Sequence, residues 1–156
     1  MLDLPPFQPE WVAGIARARD GYRAFSVEAS KQVWGALGFG SSDPKQKKGD
    51  YHSVHPVLHE RPISPSVAAR IAALWRRVLA DQRNYGKDPN LYLDTDQLSF
   101  YLSFQPTERL TAHTVGLGPK LTHLWHVSAL LANYAEGMSE RELIKEIAKR
   151  ERTLGI

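Results

Sequence analysis

Between residues 97 and 105 the chain alternates strictly, with Leu98, Phe100, Leu102 and Phe104 apolar and Ser99, Tyr101 and Ser103 between them. A period of two places the four apolar side chains on one face of a β-strand. That face has to be buried against a second apolar layer. The cover is predicted directly downstream. After Gly116, Gly118 and Pro119, residues Leu121, Leu124, Trp125, Ser128, Leu131 and Ala132 recur at three- and four-residue spacing, the stripe of an amphipathic helix. An antiparallel sheet under a helix is the unit around which the rest of the chain is arranged, and nothing in it dictates a reaction.

Upstream, Pro9 at a first helical position followed by Trp11, Val12, Ile15 and Ala16 predicts a short amphipathic helix stopped by Asp20 and Gly21. Tyr22 to Phe25 reads as extended, and Ser26, Val27, Ser30, Val33, Trp34 and Leu37 as the stripe of a second helix ended by Gly38. Residues 38–50, rich in glycine and lysine and without periodicity, predict a mobile loop. The stretch from Tyr51 to Glu60 alternates imperfectly around Pro56, which has no N–H to give to a ladder, so an edge or bulged strand is expected. Ser64 and Pro65 open a helix whose inward stripe is Val67, Ala68, Ile71, Leu74, Trp75, Val78 and Leu79, with its end near Tyr85 and Gly86. Leu91 to Asp94 reads as a short strand, Asp94 to Asp96 as a turn, and Gln105 to Glu108 as the loop leading to a returning strand, Leu110 to Val115.

Towards the C-terminus, Gly137 suits a left-handed helix end. Ser139 with Glu142 then forms a capping box, and Met138 with Leu143 a hydrophobic staple, for a last helix running from Glu140 to about Arg152. Its stripe of Leu143, Ile144 and Ile147 is narrow, which predicts peripheral packing or contact with a partner. The expected fold is α+β: a single domain over residues 1–156, a small antiparallel meander of about three to five strands packed against helices, and a C-terminal helical pair.

Charge and composition exclude several classes. The net charge of +3 invites a nucleic-acid reading. It is spread evenly, however: residues 1–50 carry 7 Lys+Arg against 6 Asp+Glu, residues 51–100 carry 6 against 5, and residues 101–156 carry 7 against 6. Phosphate binding needs cations gathered on one surface, and only Lys45, Lys47 and Lys48 cluster. No apolar run approaches the roughly 18 residues of a membrane span, and the N-terminus lacks the basic and apolar regions of a signal peptide. With zero cysteines there are no disulfides or thiolate metal sites, and a cytoplasmic location is expected.

His52, His55 and His59 fall within eight residues, and His123 and His126 are three apart on a helix, a spacing that could place imidazoles on one metal. The helical zinc motif is absent, since Leu124 follows His123, so the histidines read as structural. Asp94 and Asp96 read as turn formers before they read as a catalytic pair. The segment around Gly38, Gly40, Ser41, Ser42 and Lys47 lacks the residue order of a P-loop, and no hydrolase elbow occurs. No catalytic residue, metal ligand or cofactor is assigned. Tyr51, Tyr92 and Tyr101 fall on or near strands; Tyr101 is either covered by the helix from Pro65 or displayed outward as interface tyrosines are. The candidate binding residues are Tyr51, His52, His55, His59, Tyr92 and Tyr101.

The order of a helix with Ile71, Trp75 and Leu79, a turn at Leu91 to Asp96, a strand with Leu98 and Phe100, a strand ending at Gly116 and a helix with Leu124, Leu131 and Tyr134 resembles small α+β immunity proteins that bacteria carry beside interbacterial toxins. The likeness spans about residues 60–137. It implies a non-catalytic protein that occludes a toxin by stoichiometric binding, and it brings no catalytic residue. Separately, Ala135, Gly137, Met138, Ser139, Glu142 and Leu143 are similar to the turn of helix-turn-helix antitoxin domains, although the helix that follows is nearly balanced in charge, unlike a recognition helix. A protein-binding module of immunity or regulatory type is therefore the leading expectation. A small basic toxin or nuclease built from scattered histidines and aspartates is the alternative, and a nucleic-acid-binding regulator the third.

Overall fold

Arg19 and Asp20 form the two-residue loop of a β-hairpin whose strands are β2 (Trp11–Ala18) and β3 (Gly21–Ala29). Gly21 leaves the loop at φ +134°, a backbone conformation that costs glycine little and other residues much. This hairpin replaces the helix expected at Trp11 to Ala16 and the start of the helix expected from Ser26. The spacing of Trp11, Val12, Ile15 and Ala16 imitates a helical stripe because both faces of β2 are apolar, which hides the period of two.

The structure, a computed structural model, describes residues 2–4, 9–31, 33, 53–81, 97–105, 108–115 and 119–155. The remaining elements are β1 (Leu2–Leu4), β4 (Pro56–Ile63), α1 (Pro65–Asp81), β5 (Gln97–Gln105), β6 (Glu108–Val115), α2 (Pro119–Glu136) and α3 (Glu140–Leu154). Tyr51, His52, the loop at 38–50, the strand at Leu91 to Asp94 with Tyr92, and the turn at Asp94 to Asp96 lie outside the described residues. The fold is α+β, with an antiparallel sheet of six strands in the order β4-β3-β2-β1-β5-β6. The strand number exceeds the three to five expected, because β2 and the end of β3 from Ser26 stand where helices were read and β1 inserts between β2 and β5. Among the described residues no helix is long and apolar enough to cross a membrane.

One face of the sheet carries the core. Ala13 and Ala24 are fully buried there, Trp11 meets Trp125 of α2 edge to face at 6.5 Å, and Phe100 of β5 meets Trp75 of α1 edge to face at 6.1 Å. All seven residues of the expected α1 stripe are buried, as are Leu121, Leu124, Val127, Leu131 and Tyr134 of α2. Ser128 enters this core because its hydroxyl donates to the Leu124 carbonyl at 2.9 Å, one turn back. Trp125 is only partly buried, so it is less central than the spacing predicts.

The α2–α3 turn follows local rules closely. Gly137 (φ +134°) and Met138 donate their N–H groups to the carbonyls of Tyr134 and Asn133, a Schellman ending. Ser139 Oγ then accepts from Glu142 N at 3.2 Å while Glu142 Oε2 accepts from Ser139 N at 3.2 Å, completing the capping box. Ser139→Ala is expected to lose about 0.5–2 kcal/mol, with amide exchange at residues 140–143 accelerated; unchanged protection there would show that the box carries no stability.

Leu143 and Ile147 are fully buried and only Ile144 of the expected stripe is exposed, so α3 is an integral layer over α1 and α2 and not a peripheral one. Polar contacts clip it in place. Arg70 of α1 grips Glu151 through both Nε and Nη2. The Ser64 carbonyl accepts the first helical bond of α1, from Ala68 N, but its hydroxyl donates to Glu140. Arg61 stacks 5.0 Å from the Tyr134 ring and donates to the Met138 carbonyl at 2.8 Å. The Tyr134 hydroxyl donates to the Pro62 carbonyl at 2.6 Å; burial, then Glu140, raises its pKa above the usual value, which keeps it a donor.

Candidate functional site

The other face of β2–β3–β4 follows from register. Since Trp11, Ala13 and Ala24 face the helices, Val12, Gly14, Phe25 and Val27 face away from them. Pairing across the strands gives two successive rows on this face, Val12–Val27–Leu58 and Gly14–Phe25–Glu60. Val12, Val27 and Phe25 are half-buried, while Leu58 is 58% exposed. Phe25 lies across Gly14 so closely that a Cβ there would sit 3.3 Å from Phe25 Cζ. The rows end at Arg23, which bridges Glu60 and Asp20 at 2.9 Å each; hydrogen bonding to Arg23 is the first cause that lowers the Asp20 pKa.

At the opposite end a cleft of about 220 Å³ has Glu10, Val12, Val27, Ala29, His55 and Pro56 among its walls. Glu10 is 8% exposed, and its Oε2 accepts from Val33 N at 2.8 Å while Oε1 has no hydrogen-bond partner among the described residues. Glu10 carries no sequence signal of its own: a single glutamate before an apolar run looks like any surface residue, and only the return of the chain at Val33 makes it buried.

β4 borders this face as the terminal strand of the sheet, matching the edge expected around Pro56. Two backbone bonds determine which of its groups point outward. Ala29 N donates to Glu10 O at 2.8 Å, on the β2 side, and Ser30 N to His55 O at 2.9 Å, on the β4 side. Alternation along β3 then puts Glu28, Ser26, Ala24 and Tyr22 in hydrogen-bonded pairs with Val57, His59, Arg61 and Ile63. The other residues of β4, namely Pro56, Leu58, Glu60 and Pro62, direct their backbone away from β3. Both prolines thus occupy positions where no ladder donor is lost, which explains how a strand with two prolines pairs along its whole length. Pro56 through Glu60 are all exposed.

The expected binding residues divide. His55 and His59 are exposed on this edge. The His55 backbone exchanges hydrogen bonds with Ser30, and its Nδ1 lies 3.2 Å from the Ser53 carbonyl, to which it donates. Among the described residues the His59 ring has no hydrogen-bond partner. Tyr101 is placed in β5 opposite Thr111, with β3, β2 and β1 between it and β4, so it does not join the histidines. His123 and His126 lie on α2, apart from them. His126 Nδ1 donates to the Thr122 carbonyl at 2.7 Å and its ring meets Trp125 edge to face at 5.2 Å. No group of three or more metal-ligating side chains occurs among the described residues.

His123 is the residue here with a pH signature. Its Nδ1 is buried without a partner among the described residues, and burial first, then Arg150 and His126, lower its pKa below the usual 6.5. Below pH 6.5 the unfolded chain takes up a proton that the folded one resists, so stability falls with pH from there through the lowered folded value. His123→Gln is expected to flatten that part of the pH–stability curve, measured by urea melts at about pH 7.5 and 5.5; an identical slope in both proteins would remove His123 as the cause.

In comparisons with protein families, curated proteins and solved structures, no family model, curated protein or solved structure matches this chain.

Proposed function

We propose that the chain is a non-catalytic binding module that engages a protein partner in fixed stoichiometry through the face of β2–β3–β4 that lies away from the described helices. The observation that carries this reading is the apolar row Val12–Val27–Leu58, which runs to the edge of the sheet and leaves Leu58 58% exposed. An apolar row flanked by charged groups such as Arg23 and Glu60 has the composition of an interface, with an apolar centre and a polar rim. The resemblance of residues 60–137 to immunity proteins suggests the kind of partner, a bacterial toxin that the module occludes.

Co-purification from the native host, followed by titration of the recovered partner against variants, tests the reading. Val27→Lys and Leu58→Asp, each with its melting curve checked, are expected to weaken binding at least about tenfold, or 1.4 kcal/mol. His55→Ala should bind as the parent does. Loss of biological activity in a folded His55→Ala, with binding retained, would favour the enzymatic alternative.

A further inference from the structure

We propose that the edge of β4 from Pro56 to Glu60, exposed and unpaired among the described residues, pairs with the β4 edge of a second copy of this chain, antiparallel about a two-fold axis at His59. The inference concerns the backbone edge of β4 and shares Leu58 with the partner-binding face, while Val12 and Val27 lie off the edge. The outward-directed positions of β4 are Pro56, Leu58, Glu60 and Pro62, so the only outward N–H donors between the prolines belong to Leu58 and Glu60. The two prolines are equidistant from His59. In a symmetric pairing centred there, Leu58 of one copy lies opposite Glu60 of the other, and each such pair exchanges both of its N–H···O=C bonds. Each Pro56 then faces a Pro62, two residues that need no partner for a donor they lack. Sliding the copies by two residues in either direction sets a proline against Leu58 or Glu60 and forfeits part of the ladder. The spacing of the prolines therefore selects one register and ends the pairing at both sides, which is how an edge is kept from open-ended assembly.

Side chains agree with that register. Leu58 and its symmetry mate become diagonal neighbours about 7–8 Å apart, close enough for the two exposed leucines to touch. Each Glu60 brings its own counter-ion, Arg23 at 2.9 Å, so the axis is not left with bare like charges. The two His59 rings meet as a non-hydrogen-bonded pair, the closest type of cross-strand contact. A pairing this short buries less than the roughly 1,200 Å² of a standard stable interface, so the dimer forms in a concentration-dependent way.

The absence of cysteine from the chain makes the test clean. His59→Cys, held at high concentration near pH 8 with oxidised glutathione, is expected to form a disulfide dimer at least about fivefold faster than Val57→Cys, whose symmetry mate is out of reach. Equal rates for the two variants, or no crosslinking in either, would overturn the proposal. Leu58→Pro, which removes an outward donor and none of the β3 ladder, should keep its circular dichroism and shift the unmodified chain to monomer in analytical ultracentrifugation. A sedimentation profile that stays dimeric would also overturn it. Val27→Lys lies off the edge and should dimerise normally, so loss of partner binding in that variant and loss of dimerisation in Leu58→Pro report on the two readings separately.

Discussion

Phe100→Ala is expected to lose about 3–5 kcal/mol of stability, the usual result of emptying a buried aromatic site. Phe100 is 0% exposed and supports Trp75, its edge-to-face partner at 6.1 Å, so truncation removes a large apolar volume and the ring contact together. The cavity would open where α1 lies against β5, which together with its contact to β6 ties the second half of the sheet to the helical layer. Urea melts of the two proteins read the difference directly. A loss below about 1 kcal/mol would mean that the face bearing Phe100 is not the core face. Trp125→Ala should cost less than Phe100→Ala, because Trp125 sits at the margin of the core beside Trp11 and His126.

Leu143→Ala is the second large effect, expected at about 2–5 kcal/mol. A terminal helix with two fully buried residues, Leu143 and Ile147, could in principle fray independently of the rest. The contacts of its polar side chains argue that it does not: Glu140 is held by Ser64 and Glu151 by Arg70, so both ends of α3 are tied to α1. Loss of packing at Leu143 should therefore lower the global unfolding free energy and not only the protection of the last helix. Hydrogen exchange distinguishes these outcomes. Faster exchange confined to residues 140–154, with α1 and α2 unchanged, would show that α3 is a separate unit.

Parts of this architecture were legible because their causes are local. Ser139, Glu142 and Gly137 act within one turn of chain, so the ending of α2 and the start of α3 could be read from spacing alone. The stripe from Val67 to Leu79 and the alternation around Phe100 were legible for the same reason: each has one apolar face and hence one clear period. β2 and the end of β3 from Ser26 were not. β2 is apolar on both sides, Trp11, Ala13 and Ile15 towards the helices and Val12 and Gly14 away from them, so the period of two cancels and a helix is imitated.

The binding candidates show the same division. Pro56 marked the edge strand that carries His55 and His59, since a missing N–H is a property of one residue. Which way its backbone faces, and that Pro62 faces the same way, depends on pairing with β3 more than thirty residues earlier, as the register of Leu58 with Val27 shows. Glu10 became a buried carboxylate only when the chain returned at Val33.

The sequence by itself therefore determined the apolar stripes of α1 and α2, the turn and capping box between α2 and α3, the Phe100 strand and the existence of an edge at Pro56, because propensity, capping and amphipathic period act over a few residues. Tertiary structure alone decided the insertion of β1 between β2 and β5, the apolar row Val12–Val27–Leu58 and the outward aim of Leu58 and Glu60. Those features are made of pairings between distant strands, and the backbone groups that make them are chemically alike at every residue, so the choice of partner is left to how the whole sheet assembles.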